Sequence, residues 1–209
     1  MTNIQIDADL VFQKSRTFGY EDAEKVSVCY KRALKIKNKD STIYSRWAEL
    51  QLKEDRFPES NRVFRLAVTF ALSQSDVYLS WIHNLYALRR FQDILLISEK
   101  AIDKVKNPAL VKNICGMCFI HIGSYEKAIK LFEEAYQLDP NLKMNHLNQA
   151  LAFYLNGEYG KATQKLEEIK DLLILVPRFK HEILLLEQDL RKEQSDEIKE
   201  QKKFKIKGF

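Results

Sequence analysis

The sequence predicts an all-α fold of about five antiparallel helix pairs stacked into a solenoid, with a C-terminal helix capping the last pair. The first observation is a 34-residue period, since the aromatic residues Phe57, Phe91, Tyr125 and Tyr159 recur at that interval. The second observation is that small residues recur in the same 34-residue register. The third observation is composition: 45% hydrophobic and 30% charged residues, with 6 Gly and 4 Pro, are typical of a helix-rich soluble chain.

One unit of the period is clearest in residues 108–140. A first helical pattern carries Gly116, and a break at Gly123 separates it from a second helical pattern. Ala128 and Ala135 lie two turns apart on one face of that second helix, where small side chains let two helices approach closely. A single pair cannot bury its apolar face alone, so we expect the pairs to be stabilised by stacking on their neighbours.

Residues at defined positions of this unit resemble the tetratricopeptide repeat (TPR). They are a small residue and an aromatic in the first helix, two aromatics in the second helix and a closing proline: Gly116, Phe119, Tyr125, Phe132 and Pro140. The resemblance implies a right-handed superhelical solenoid. It also implies a concave partner-binding groove lined by the first helix of each pair, called helix A below, whereas the second is called helix B.

The second and third repeats depart from this pattern. Ser60 and Ile94 replace the first alanine of helix B, and Gln51 replaces an aromatic. Trp47 and Trp81, also 34 residues apart, give these two repeats a resemblance to the half-TPR (HAT) variant of RNA-processing factors. This resemblance implies an alternative function, an RNA-associated helical-repeat factor.

The helical patterns divide the chain into a solenoid with its capping helix, residues 1–194, and a basic tail, residues 195–209. The tail favours contact with an anionic partner, or is a plain solvated end. The five pairs are expected at roughly 5–37, 41–72, 75–106, 109–140 and 143–174.

The final helix has one apolar stripe, which predicts that it packs against the fifth pair. The stripe consists of Phe179, Ile183, Leu186 and Leu190. Leu184 and Leu185 lie off the stripe. They leave a homodimer seam as an alternative use of this helix.

Composition and chain segments predict a cytoplasmic protein. The longest apolar runs are far shorter than the roughly 20 residues of a membrane span. The opening segment, MTNIQIDADL, lacks the basic stretch and apolar core of a secretory signal. Three cysteines, an odd number, fit a reducing compartment better than a disulfide framework.

Catalytic and metal-binding chemistry is not expected. Cys115 and Cys118 have a C-x-x-C spacing and lie near His121, but both fall in the middle of a helix rather than at its amino end. We therefore interpret them as small core residues. No fourth ligand accompanies them, and phosphate-loop, serine-elbow and zinc-protease motifs are absent from the sequence. The sequence predicts a non-enzymatic protein with no cofactor and no metal.

The candidate partner-binding residues are the helix A positions that the core pattern leaves free. They are Arg46, Glu49, Leu79, His83, Tyr86, Asn113, Met117, Ile120, His121, Leu147, Asn148, Leu151 and Tyr154. This set changes from charged in the second repeat to apolar in the fourth and fifth, which suits an extended peptide with apolar side chains. The alternative is that these residues pack on the chain's own ends.

These observations predict a protein-protein interaction module, an adaptor or chaperone-like holder that binds a segment of a partner protein. A receptor for the carboxyl tails of heat-shock chaperones is disfavoured, because the resemblance supplies only Asn148 of the clamp that such receptors use. RNA association and a homodimeric scaffold are the alternatives.

Overall fold

The computed structural model describes residues 23–36, 39–173, 181, 183–193 and 195–196. The first helix of the first pair, Phe179 and most of the basic tail lie outside the described residues. Regular structure within them is α-helical. The helices are α1 (Ala23–Ile36), α2 (Ser41–Lys53), α3 (Phe57–Phe70), α4 (Gln74–Ala87), α5 (Phe91–Ala101), α6 (Pro108–Ile122), α7 (Tyr125–Leu138), α8 (Lys143–Leu155) and α9 (Tyr159–Leu173), followed by helical residues 183–193.

The 34-residue register is confirmed by the helix boundaries. Phe57, Phe91, Tyr125 and Tyr159 are the first residues of α3, α5, α7 and α9. Each of these is the helix B of its pair, and each is preceded by its own helix A: α2, α4, α6 and α8. The sequence period therefore corresponds to one helix pair.

The turn that joins helix A to helix B has the same geometry in all four complete pairs. It places one residue in the left-handed region: Asp55 with φ 57°, Arg89 with φ 56°, Gly123 with φ 80° and Gly157 with φ 79°. The next residue donates its backbone N–H to a carbonyl five positions earlier. This bond measures 2.9 Å in each turn, from Arg56 to Gln51, Arg90 to Leu85, Ser124 to Phe119 and Glu158 to Phe153. It is the hydrogen bond of a Schellman motif, which satisfies a carbonyl at the end of the helix.

Side-chain caps set the start of two A helices. The Asp40 side chain accepts hydrogen bonds from the N–H groups of Thr42 and Ile43, at 2.9 and 3.2 Å. Asn107 accepts one from the N–H of Leu110 at 3.2 Å, and Pro108 follows it as the first helical residue. Asparagine or aspartate before a helix and proline at its first position are both favourable because the first backbone N–H groups lack helical partners.

The chain divides into two compact units, residues 1–106 and 107–209. In the first, Phe64 is fully buried and its ring stacks on Trp81 with the centroids 5.0 Å apart. Ser60, which replaces the first alanine of helix B, is also fully buried, and its hydroxyl donates to the Ala48 carbonyl at 2.8 Å. Because its hydroxyl is hydrogen-bonded, Ser60 can be buried at a core position where the repeat pattern has an alanine.

In the second unit, Gly116 of α6 lies directly against Phe132 of α7. A Cβ atom at Gly116 would fall within 2.7 and 2.8 Å of two ring carbons of Phe132, a ring that is itself fully buried. Ala128 and Ala135 are also fully buried on α7. The expectation that small residues mark the close approach of helix A and helix B is confirmed.

The predicted capping helix is confirmed for the residues that the structure describes. Ile183, Leu186 and Leu190 are buried in the same core as Leu166 and Ile169 of α9. Leu184 and Leu185 remain 42% and 48% exposed. The apolar stripe thus covers the fifth pair, and a homodimer seam at the two exposed leucines stays a prediction. Within the described part of the chain, every helix is too short or too polar to span a bilayer.

Replacing Gly116 by alanine should destabilise the fold by about 1–3 kcal/mol, because the buried Phe132 ring must move to admit a methyl group. Gly160→Ala in α9 is the matched control, since no atom lies within 4 Å of the added carbon. The control should leave stability unchanged or raise it by up to about 1 kcal/mol, the helix-propensity difference. Urea unfolding followed by circular dichroism measures both. Equal unfolding midpoints would contradict the assigned helix contact.

Gly123→Ala should cost about 1 kcal/mol for a different reason, the left-handed backbone at the turn. No atom lies within 4 Å of the added carbon, so the effect reports the backbone alone. Asp55→Gly makes the reverse change at the equivalent position and should be neutral or slightly stabilising. The same unfolding measurement applies. A Gly123→Ala variant as stable as the parent would show that the turn geometry carries no strain for a side chain.

Candidate partner-binding surface

The structure places the thirteen candidate residues on the four A helices, but not all of them are accessible. Three are exposed: Arg46, His83 and His121. Seven are half-buried: Glu49, Leu79, Tyr86, Met117, Ile120, Leu151 and Tyr154. The remaining three are buried and are considered next.

Asn113, Leu147 and Asn148 correct the sequence prediction that these positions are free for a partner. They are only 5%, 6% and 6% exposed. Leu147 belongs to the apolar core of the second unit. The two asparagines are buried because they bind each other, and helical periodicity alone does not reveal that a neighbouring helix covers this face.

A chain of buried asparagine side chains joins α6 to α8. Asn148 donates to the Asn113 side-chain oxygen at 3.0 Å, and Asn113 donates to the Asn145 oxygen at 2.9 Å. Asn145, which is fully buried, donates in turn to the backbone carbonyl of Phe132 at 2.8 Å. We call these three residues the asparagine ladder. Buried amides linked in this way fix the relative position of two helices, since each lost bond leaves an uncompensated polar group.

Asn145 is the residue that sequence reasoning missed. The available signal was the group of three asparagines at 113, 145 and 148 within otherwise apolar helices. An amide in such a helix needs a partner. The spacing of about one repeat between Asn113 and the other two indicates where that partner lies.

Four half-buried apolar side chains follow the ladder asparagines on α6 and α8, and we call them the apolar patch. Met117 and Ile120 lie one and two turns after Asn113 on α6, and Leu151 and Tyr154 occupy the corresponding positions on α8. Met117, Ile120 and Tyr154 also pack against the core of the second unit. These three side chains are therefore held against the core, while part of each of the four patch side chains remains accessible.

The C-terminal helical residues lie beside one edge of the apolar patch. Burial raises the pKa of the Tyr154 phenol above its ordinary value, and the nearby carboxylates of Asp189 and Glu193 raise it further. The Tyr154 ring also lies 5.7 Å from that of Tyr159. The alternative that candidate residues pack on the chain's own ends stays a prediction.

The first unit offers a polar cleft of about 410 Å³ between α2 and α4. Arg46 pairs with Glu49 at 2.9 Å, and the Ser80 hydroxyl donates to the other Glu49 oxygen at 3.0 Å. Asp76 and Ser45 also line the cleft. Its charges are largely compensated internally, so it is a weaker candidate for apolar docking than the patch on the second unit.

The remaining candidates of the third repeat lie on α4. One ring nitrogen of His83 is 2.7 Å from the Leu79 carbonyl, and Tyr86 makes an edge contact with Phe91 at 5.8 Å between centroids. His121 is exposed at the end of α6. The contacts of His83 and Tyr86 are made within their own repeat. They leave both side chains, like that of His121, at least partly accessible.

Cys115 and Cys118 are 4% and 0% exposed, as the interpretation of core residues expects. Burial raises the pKa of the Cys118 thiol to about 12, and the neighbouring Cys115 adds to the shift. A thiol with such a pKa is protonated at neutral pH, which disfavours the thiolate that nucleophilic attack requires. Within the described residues, His, Cys, Asp and Glu form no cluster able to hold a metal ion.

Iodoacetamide at pH 8 should therefore label Cys29, which is half-buried, and spare Cys118. The raised pKa and the burial of Cys118 both oppose alkylation, and unfolding in guanidinium should make all three cysteines reactive. Mass spectrometry of peptides reads out each site, with Cys29 as the internal control. Labelling of Cys118 in the native protein as fast as Cys29 would contradict a core role.

Comparison with known proteins agrees with this architecture. The tetratricopeptide repeat family model matches residues 109–142. The TPR repeat-containing protein MJ1428 of Methanocaldococcus jannaschii is 27% identical over 149 residues, which is 70% of this chain and 26% of that protein. The chain thus spans about a quarter of the length of that relative.

Solved structures share the fold at low sequence identity. YrrB, a TPR protein with an unusual peptide-binding site, has a TM-score of 0.58 and 17% identity, over 87% of this chain and 88% of YrrB. PilW, a type IV pilus biogenesis factor, has a TM-score of 0.62 and 17% identity, over 93% and 87%. MamA from Desulfovibrio magneticus RS-1 has a TM-score of 0.60 and 13% identity, over 85% and 99%. Residues 109–142 thus match a tetratricopeptide repeat, and the chain shares the helix-pair fold of these TPR structures.

Proposed function

We propose that this protein is a non-enzymatic interaction module that holds a short segment of a partner protein against the apolar patch. The observation that carries the proposal is the patch itself. Met117, Ile120, Leu151 and Tyr154 keep accessible surface, although Met117, Ile120 and Tyr154 pack against the core of the second unit. A partner that covers them gains hydrophobic stabilisation without reordering the helices.

The chemistry of the patch favours an extended peptide with apolar side chains. Methionine and tyrosine supply large contact area, and such residues often dominate binding energy at the centre of an interface. The asparagine ladder keeps α6 and α8 in register below the patch, so little conformational entropy is lost on binding. The peptide-binding site of YrrB, a protein of the same fold, supports this class of ligand.

An adaptor or chaperone-like holder in the cytoplasm is the role we infer for this module. The absence of catalytic motifs from the sequence and the raised pKa of the Cys118 thiol support a non-enzymatic role. The organisation that we propose keeps residues 1–194 as the binding domain and residues 195–209 as a basic tail. The tail is not needed for peptide capture in this proposal.

Selection of a random peptide library on the immobilised protein, followed by fluorescence polarisation with the selected peptides, tests the proposal. Replacing Met117 and Tyr154 together by alanine should weaken peptide binding by about thirtyfold, the effect of losing about 2 kcal/mol from two central contacts. Helix content should not change, because both side chains are only half-buried.

Leu138→Ala is the matched control, since Leu138 is a 53% exposed leucine on helix B of the same unit. It should leave the affinity unchanged. Removal of residues 195–209 should also leave the affinity largely intact. The proposal fails when no peptide is enriched, or when the enriched peptides bind the double variant as tightly as the parent.

A further inference from the structure

A second pocket lies in the first unit, away from all the helix A candidates. It occupies about 520 Å³ between α1, α2 and the beginning of α3. Pockets that bind small molecules usually measure roughly 300–1,000 Å³. We propose that this pocket binds a phosphate monoester, the terminal phosphate group of a small molecule or of a modified side chain.

Charge is the first argument for a phosphate. Lys31, Arg56 and Arg62 line the pocket, and Glu59 is the only carboxylate that lines it among the residues that the structure describes. The three cations are exposed, and none has a carboxylate within ion-pair distance in the described part of the chain. The excess of two positive charges matches a phosphate monoester, which carries about −1.5 to −2 at neutral pH.

The buried wall of the pocket adds a neutral hydrogen-bond donor. Gln51 donates its side-chain amide to the Ser27 hydroxyl oxygen at 3.1 Å, and both residues are buried, at 4% and 7% exposure. Ser27 then still has its own hydroxyl hydrogen, for which the described residues provide no acceptor. A serine hydroxyl in this state can donate to a ligand oxygen.

Trp47 forms another part of the pocket wall. Its indole nitrogen is fully buried and does not face the pocket. The Lys31 ammonium lies over the indole ring, 5.9 Å from its centroid. The ring therefore helps to hold this ammonium at the pocket wall.

The backbone near Arg56 favours the same ligand. Arg56 is the residue before α3, its side chain makes no capping bond, and Pro58 follows within the first turn. The beginning of a 14-residue helix carries partial positive charge, which attracts anions. Arginine also binds two oxygens of one phosphate at once. A carboxylate would offer only two oxygens and one charge to this set of donors.

Isothermal titration at low ionic strength tests the proposal with three probes: inorganic phosphate, adenosine 5′-monophosphate and adenosine. The first two should bind with one-to-one stoichiometry, and adenosine should not bind. Arg56→Gln and Arg62→Gln should each weaken phosphate binding by about fivefold or more, because each removes a charge-assisted contact.

Arg65→Gln is the matched control. Arg65 is an exposed arginine of the same helix α3 and lies outside the pocket, so its loss changes the net charge equally but should not change the affinity. Equal weakening by Arg65→Gln and Arg62→Gln would overturn the proposal, because it would show general charge attraction instead of a site. Saturation by none of the phosphate probes would overturn it as well.

Two further probes identify the source of the phosphate. A phosphoserine peptide that binds while its serine counterpart does not would support the proposal and assign the ligand to a modified protein. Single-stranded RNA with a 5′-phosphate should bind better than the same RNA with a 5′-hydroxyl. Equal binding of the two RNAs, with Arg56 and Arg62 required for both, would overturn the proposal in favour of a surface for RNA phosphodiesters.

Discussion

The turn between helix A and helix B is the constraint on which the rest of this fold depends. A residue with left-handed backbone angles and the hydrogen bond of the next residue end each helix A at a fixed position. Helix B therefore starts in the same direction relative to helix A in each pair. In two pairs the aromatic that opens helix B meets the residue five positions before it: Phe91 meets Tyr86, and Tyr159 meets Tyr154. Because the turn is made by the backbone, it tolerates aspartate and arginine at Asp55 and Arg89 where glycine stands in the later repeats.

Two polar departures from the repeat pattern in the core are compensated by hydrogen bonds to neighbouring helices. Ser60 occupies an alanine position, and its hydroxyl donates a hydrogen bond to the Ala48 carbonyl. Gln51 occupies an aromatic position, and its side-chain amide donates a hydrogen bond to the Ser27 hydroxyl oxygen. A polar group that finds a partner costs little when buried, whereas an unpartnered one costs about 1–3 kcal/mol. The repeats can therefore diverge in sequence while the helices keep their positions.

Much of the fold was predictable because it depends on local spacing. The aromatic period located the starts of α3, α5, α7 and α9, and the apolar stripe identified Ile183 as a core residue. The left-handed backbone at Arg89 was not predictable, since its side chain gives no sign of it. The burial of Asn113 and the pocket beside Trp47 depend on contacts between helices far apart in sequence, which single-helix periodicity does not contain.

The asparagine ladder has a consequence for how repeats of this chain could be gained or lost. Repeat proteins gain and lose units by duplication and deletion, which is harmless where neighbouring helices meet only through apolar side chains. At the junction of α6 and α8 it is not harmless. A copied or deleted unit would leave Asn113 or Asn148 facing a helix without a matching amide. A change in the number of units at this junction would therefore carry an energetic cost that a purely apolar junction lacks.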